Sequence, residues 1–117
     1  MPSDRTRLAL TDIRDNARLA QTFVEGLTAE AFEADRRTFY AVTRCLEIIS
    51  EASRRLSPDL RDRHPELPWR AIMGVGNVYR HDYDNVAEEQ VWRTIHHSQP
   101  LFLAVVLSEI AALENGP

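Results

Sequence analysis

The chain has 117 residues and a net charge of −4, and all fourteen of its basic residues are arginine. That length makes one domain, residues 1–117, with a real core and is too short for two; the acidic balance excludes a broad basic nucleic-acid footprint but not a local basic cleft. Cys45, the single cysteine, excludes an intramolecular disulfide, and no stretch approaches the roughly twenty apolar residues of a membrane span, so a soluble cytoplasmic protein without a membrane segment or signal peptide is expected.

Ser3 or Asp4 can cap a first helix. Ala9, Ile13, Ala17, Ala20, Val24 and Leu27 recur every three or four residues and make its apolar face, while Arg7, Thr11, Arg14, Arg18, Gln21 and Glu25 mark the wet one. Gly26 closes this helix, and Thr28 can cap a short turn holding Ala31 and Phe32. A second long helix is predicted over 35–56. Phe39, Val42, Leu46, Ile49 and Leu56 form one stripe and Ala41, Cys45, Ile48 and Ala52 another. Two stripes make a wide apolar face, as a central helix needs. Its remaining face carries Arg44, Glu47, Glu51 and Arg55, which read either as solvated ion pairs or as a polar wall beside a functional cluster.

Ser57-Pro58 is a cap followed by a first-turn proline, so a short helix starts there. Pro65 and Pro68 bracket a turn, with His64 as an exposed loop histidine. The next helix is predicted over 68–80, with Ile72 and Met73 as its apolar contacts. Gly74 and Gly76 each cost about 1 kcal/mol in a helix interior, which points to close approach of another backbone or a partner subunit, or to a loosely ended helix. Asp84-Asn85 is turn chemistry. A last helical region over 86–114 carries Val91, Trp92, Ile95, Phe102, Leu103, Val106, Leu107, Ile110 and Leu113 on its apolar face, with a kink or break at Pro100. His96 and His97 are adjacent, diverge on a helix and read as surface histidines. No strand pattern, repeat or low-complexity segment is present, so the expected fold is an all-α, up-and-down bundle of four to five helices with a kinked C-terminal helix.

The chemistry concentrates between Gly74 and Asn85. Asn77 and His81, four apart, share one helical face, and Gly76 and Arg80 share the adjacent one; Asp82, Tyr83 and Asp84 follow at the helix end. One cysteine and scattered histidines supply no zinc site. Gly74-Val75-Gly76 lacks the third glycine and the preceding strand of a dinucleotide loop. What remains is acid–base work: the His81 imidazole can take the proton of an RNA 2′-hydroxyl, which then attacks its own phosphate, and an arginine such as Arg80 can steady the phosphoryl oxygens. This needs no metal and no cofactor. The plain alternative is that His81 is a helix-end residue favoured by the helix dipole.

An ordered set of segments resembles the HepT-like toxins of the HEPN superfamily: Leu10-Thr11-Asp12-Ile13, Phe32-Glu33-Ala34-Asp35, Ala41 through Ala52, Pro65-Glu66-Leu67-Pro68-Trp69, Gly76-Asn77 through His81-Asp82-Tyr83, Val91-Trp92 and Pro100-Leu101. The resemblance implies a HEPN-like bundle that forms a homodimer, or a higher even-numbered oligomer, around one composite cleft. It further implies a metal-independent ribonuclease acting on RNA as the toxin of a type VII-like toxin–antitoxin system. Its antitoxin would be a minimal nucleotidyltransferase that silences the toxin by moving AMP from ATP onto the motif tyrosine. Carried over, His81 is the catalytic histidine, Asn77 the polar residue after the motif arginine, and Tyr83 the tyrosine that takes AMP; Asp82, Glu51 and Gly76 would support the cleft. The family's motif arginine is replaced here by Gly76, with Arg80 one turn later on a similar face. Two readings therefore stand: an active enzyme in which Arg80 takes the arginine's part, and a catalytically weak or inactive dimeric module that binds nucleotide, RNA or a partner.

Overall fold

The computed structural model describes residues 4–78 and 86–115, and every regular element among them is helical. In chain order these are α1 (Asp4–Val24), α2 (Ala29–Ala34), α3 (Arg36–Ser53), α4 (Pro58–Asp62), α5 (Trp69–Val78), α6 (Val86–Arg93), a π-helical turn (Thr94–Ser98) and α7 (Gln99–Glu114). The expected all-α bundle is what forms: α1, α3, α5 and the α6–π–α7 rod are its long members, with α2 and α4 as short connectors. No helix among the described residues is long and apolar enough to cross a membrane.

Local chemistry sets the boundaries. Gly26, at φ +79°, follows α1 in a backbone conformation that side-chain-bearing residues rarely adopt. Thr28 Oγ1 accepts from the Ala31 N–H at 3.1 Å to open α2, and Ser57 Oγ accepts from the Leu60 N–H at 3.3 Å to open α4 ahead of Pro58. Asp35 caps α3 instead of joining it. Its carboxylate accepts from the Thr38 hydroxyl at 2.7 Å and the Thr38 N–H at 3.0 Å, and these bonds hold its pKa below the ordinary value. Ser3 lies outside the described residues, while Asp4 stands in the first turn of α1.

The most extensive packing is α1 on α3. Ala9, Leu10, Ile13, Ala17 and Ala20 of α1 and Val42, Leu46 and Ile49 of α3 are buried in the common core. Cys45 is buried too, and burial pushes its thiol pKa up, away from reactive thiolate. Phe32 holds the other end, fully buried, with its ring 5.4 Å from Trp92 and 6.1 Å from Phe39. The polar residues expected on one face of α3 divide: Arg44 and Glu47 on this helix approach to 3.9 Å, whereas Arg55, in the turn after α3 ends at Ser53, reaches across to Asp12 on α1 at 3.0 Å.

The break expected at Pro100 takes the form of the π turn just before it. Proline has no N–H to donate backward and its ring crowds the preceding turn. The ladder widens there, and the Gln99 N–H bonds the Thr94 carbonyl five residues back. Gln99 then turns inward, its amide donating to the Ala17 carbonyl at 3.0 Å.

His64 is not the exposed loop residue that its proline neighbour suggests. It is half-buried, and its Nε2–H donates to Glu109 Oε2 on α7 at 2.6 Å, while Arg63 Nη2 donates to Glu109 Oε1 at 2.7 Å. Burial disfavours charge on Glu109, but Arg63 and His64 together outweigh it and hold the carboxyl below its ordinary pKa. A carboxylate depressed in the folded state contributes stability that is complete above its unfolded pKa, about 4.3, and is lost as pH falls through the lowered value. Glu109→Gln is accordingly expected to lower the melting temperature at pH 7, by the equivalent of roughly 1–3 kcal/mol, with the gap to wild type closing towards pH 3; thermal melts at the two pH values check it.

Candidate active site

The helix that enters the chemistry-rich stretch is fixed at three places. The Trp69 Nε1–H donates to the His64 carbonyl at 2.9 Å, and its ring meets Phe102 edge-on at 5.7 Å, joining the start of α5 to α7. The Ser50 hydroxyl, buried on α3, donates to the Met73 carbonyl at 2.5 Å. Ile72 packs against the core, and Arg61 Nη1 reaches Met73 Sδ at 3.4 Å. Among the described residues Gly74 meets no close neighbour: a Cβ there would find nothing within 4 Å, so none of them makes the close backbone approach proposed for it.

The helix that leaves the stretch is fixed as firmly. Glu88, in the first turn of α6, has no exposed surface, and its Oε1 accepts from Arg36 Nη1 at the start of α3 at 2.5 Å. The Arg36 guanidinium is centred 5.0 Å from the Phe39 ring and 5.1 Å from the Tyr40 ring, and its Nη2 donates to the Tyr40 hydroxyl at 3.3 Å. The Tyr40 bond, then the Glu88 bond, raise the arginine pKa further. One turn on, Trp92 stacks with Phe32. Both ends of the motif segment are thus tied to a single helix, α3: one through Ser50, the other through Arg36.

Gly76 and Asn77 fall in α5, as read from the sequence, and the described part of this helix runs to Val78; its expected end at residue 80 lies outside the described residues. Arg80, His81, Asp82 and Tyr83 lie outside the described residues. Glu51, assigned to the cleft, is exposed on α3. Among the described residues no group of three or more His, Cys, Asp or Glu could hold a metal ion. The anchors are the part that residue patterns miss. Ser50 is a small polar residue on the apolar face of α3, and that placement is its one sequence signal. Glu88 carries none, since an acid in a first turn is ordinarily solvent-facing and dipole-favoured.

Comparison with known proteins agrees with the resemblance read from the sequence. The family model described as Ribonuclease HepT-like matches residues 13–108. A protein of Thermococcus cleftensis named "Probable ribonuclease HepT" is 35% identical over 91 residues, 78% of this chain and 83% of the relative. Two Methanocaldococcus jannaschii proteins named as candidate RNases are 32% identical over 91 residues (78% of this chain, 84% of the relative) and 30% identical over 100 residues (86% and 83%). No solved structure matches. With the match running from the middle of α1 into α7, the chain belongs to the HepT-like ribonuclease family.

Proposed function

We propose that this protein is a metal-independent ribonuclease, the toxin of a toxin–antitoxin pair, cutting RNA with His81 as its acid–base group. The observation that carries the reading is the match across residues 13–108 to the HepT-like ribonucleases, in a chain that retains Asn77, His81 and Tyr83 in the motif order. The anchoring of α5 and α6 on α3 supports it, because acid–base catalysis needs a group held at hydrogen-bond reach of its proton. In the proposed reaction neutral His81 takes the 2′-hydroxyl proton and the 2′-oxygen attacks the adjacent phosphorus. The 5′-oxygen leaves with a proton returned from the imidazolium, giving a 2′,3′-cyclic phosphate and a 5′-hydroxyl. Arg80 neutralises charge gathering on the phosphoryl oxygens and Asn77 orients the phosphate or the ring. All of this would take place in the cytoplasm, in a homodimer whose two motif segments face one cleft.

Silencing would come from a minimal nucleotidyltransferase antitoxin: the Tyr83 phenol oxygen attacks the α-phosphorus of ATP, pyrophosphate leaves, and AMP stays on the tyrosine. A bulky anion two residues from His81 would repel and block an RNA phosphate. Gly76 in the motif arginine's place favours a second reading, a dimeric RNA- or partner-binding module with little or no catalysis. The deciding experiment incubates purified protein, shown by mass spectrometry to be unmodified at Tyr83, with several RNAs in EDTA. Fragments ending in 2′,3′-cyclic phosphate are expected; intact RNA throughout would overturn the enzyme and leave the binding module.

A further inference from the structure

We infer that the groove between the C-terminal half of α1 and the π turn is a ribonucleotide subsite of the RNA substrate, with Arg18 taking a phosphate and His96 a ribose 2′-hydroxyl. The inference rests on the ribonuclease reading for its ligand and on the groove's own chemistry for its place. The groove has a volume of about 610 Å³ and is bordered by Arg18 and Gln21 from α1, by Glu25 just past its end and by His96 from the π turn, with the buried Val24 and Ile95 also lining it. Its volume lies within the range that holds a nucleotide-sized ligand.

Two groups give it directionality. Arg18 is exposed and has no ion-pair partner among the described residues, whereas its neighbour on the same face, Arg14, is tied to Asp15 at 2.9 Å. A guanidinium left open beside a groove offers a planar fork to a phosphodiester. His96 is exposed yet held: its ring lies 4.1 Å from the Trp92 ring, and Nδ1 is 2.8 Å from the Trp92 carbonyl oxygen. A carbonyl can only accept, so Nδ1 carries the hydrogen, and in the neutral ring Nε2 is left as an acceptor. An acceptor beside a phosphate-binding arginine suits a 2′-hydroxyl, the group that separates RNA from DNA. The outer face of the ring, backed by the indole, is a platform on which a base can stack. The Gln21 amide can meet a base edge, and Glu25 faces the hydroxyl and amine side of the nucleotide, since beside a phosphate its carboxylate would repel.

In chain order α6 separates the motif segment from the π turn. His96 is set by the π turn, a device that recurs at functional sites.

The test is fluorescence anisotropy with a labelled ten-nucleotide RNA and the DNA of the same sequence, alongside cleavage kinetics, for wild type, Arg18→Ala, His96→Ala and His81→Ala. Arg18→Ala is expected to weaken RNA binding about tenfold and to raise KM by a similar factor. His96→Ala is expected to erode the preference for RNA over DNA. His81→Ala is expected to bind RNA like wild type without cutting it. Both residues are exposed, so circular dichroism melts should coincide with wild type. RNA affinity within twofold of wild type in both groove variants would overturn the subsite, as would a wild type that binds no RNA. A wild type that binds RNA through Arg18 but does not cut it would sink the enzyme and leave the subsite standing.

Discussion

His81→Ala is expected to slow RNA cleavage in EDTA by about 10²–10⁴-fold, the usual contribution of a positioned acid–base group. The proposed chemistry has a single proton carrier, which removes a proton from the 2′-hydroxyl and returns one to the leaving 5′-oxygen. Alanine abolishes both transfers while the core contacts that hold α5 and α6 remain. Arg80→Ala tests the other half of the site. If Arg80 does the work of the absent motif arginine, losing its charge removes stabilisation of the phosphoryl oxygens, and the rate falls by about 10²–10³-fold. Initial rates on one RNA, with melts to show unchanged folding, measure both. Cleavage by His81→Ala within threefold of wild type would remove His81 from the mechanism. Loss in His81→Ala alone would keep the enzyme and assign the phosphate's cation elsewhere.

Phe32→Ala should produce the largest loss of stability, about 3–5 kcal/mol or roughly 10–20 °C in Tm. Phe32 has no exposed surface and contacts aromatic rings from α3 and α6 at once. Removing it opens a cavity where three helices meet, and the rigid rings of Phe39 and Trp92 cannot collapse into it. Since whole domains are stable by only about 5–15 kcal/mol, the variant is expected to be partly unfolded at 37 °C. Phe32→Leu keeps much of the volume and should cost roughly 1–2 kcal/mol, so a graded pair of urea midpoints would follow. Equal midpoints for wild type and Phe32→Ala would mean that α2 is not part of the cooperative core.

The long helices were legible because their buried sides repeat at helical spacing: Ala9, Ile13, Ala17, Ala20 and Val24 on α1, and Phe39, Val42, Leu46 and Ile49 on α3, are all buried. The caps at Thr28 and Ser57 were legible because their hydrogen bonds reach only three residues. What stayed hidden is long in sequence. The Arg36–Glu88 pair spans 52 residues and His64–Glu109 spans 45, and no local pattern distinguishes a buried partner from a solvated charge. The candidate site divides in the same way. Its reactive residues show in their order along the chain, with Gly76 and Asn77 on α5 as expected, whereas the Ser50 and Arg36 ties that fix the stretch to α3 depend on tertiary packing. At Pro100 the sequence marks the disturbed position but not its form, a widened turn one step earlier.

That widened turn also sets a rotational phase. The buried positions Ala87, Val91, Ile95 and Gln99 follow one another at intervals of four. In an α-helix, at 3.6 residues per turn, each such interval overshoots a full revolution by about 40°, and three of them would carry Gln99 about 120° round from Ala87. A π turn spreads more residues over each revolution, so the last interval falls back where the others run ahead. The rod thereby returns its inward edge to the core before α7 begins, so that α6 packs on α2 and α3 and α7 packs on α1 from one rod whose inward edge an unbroken α-helix would let drift.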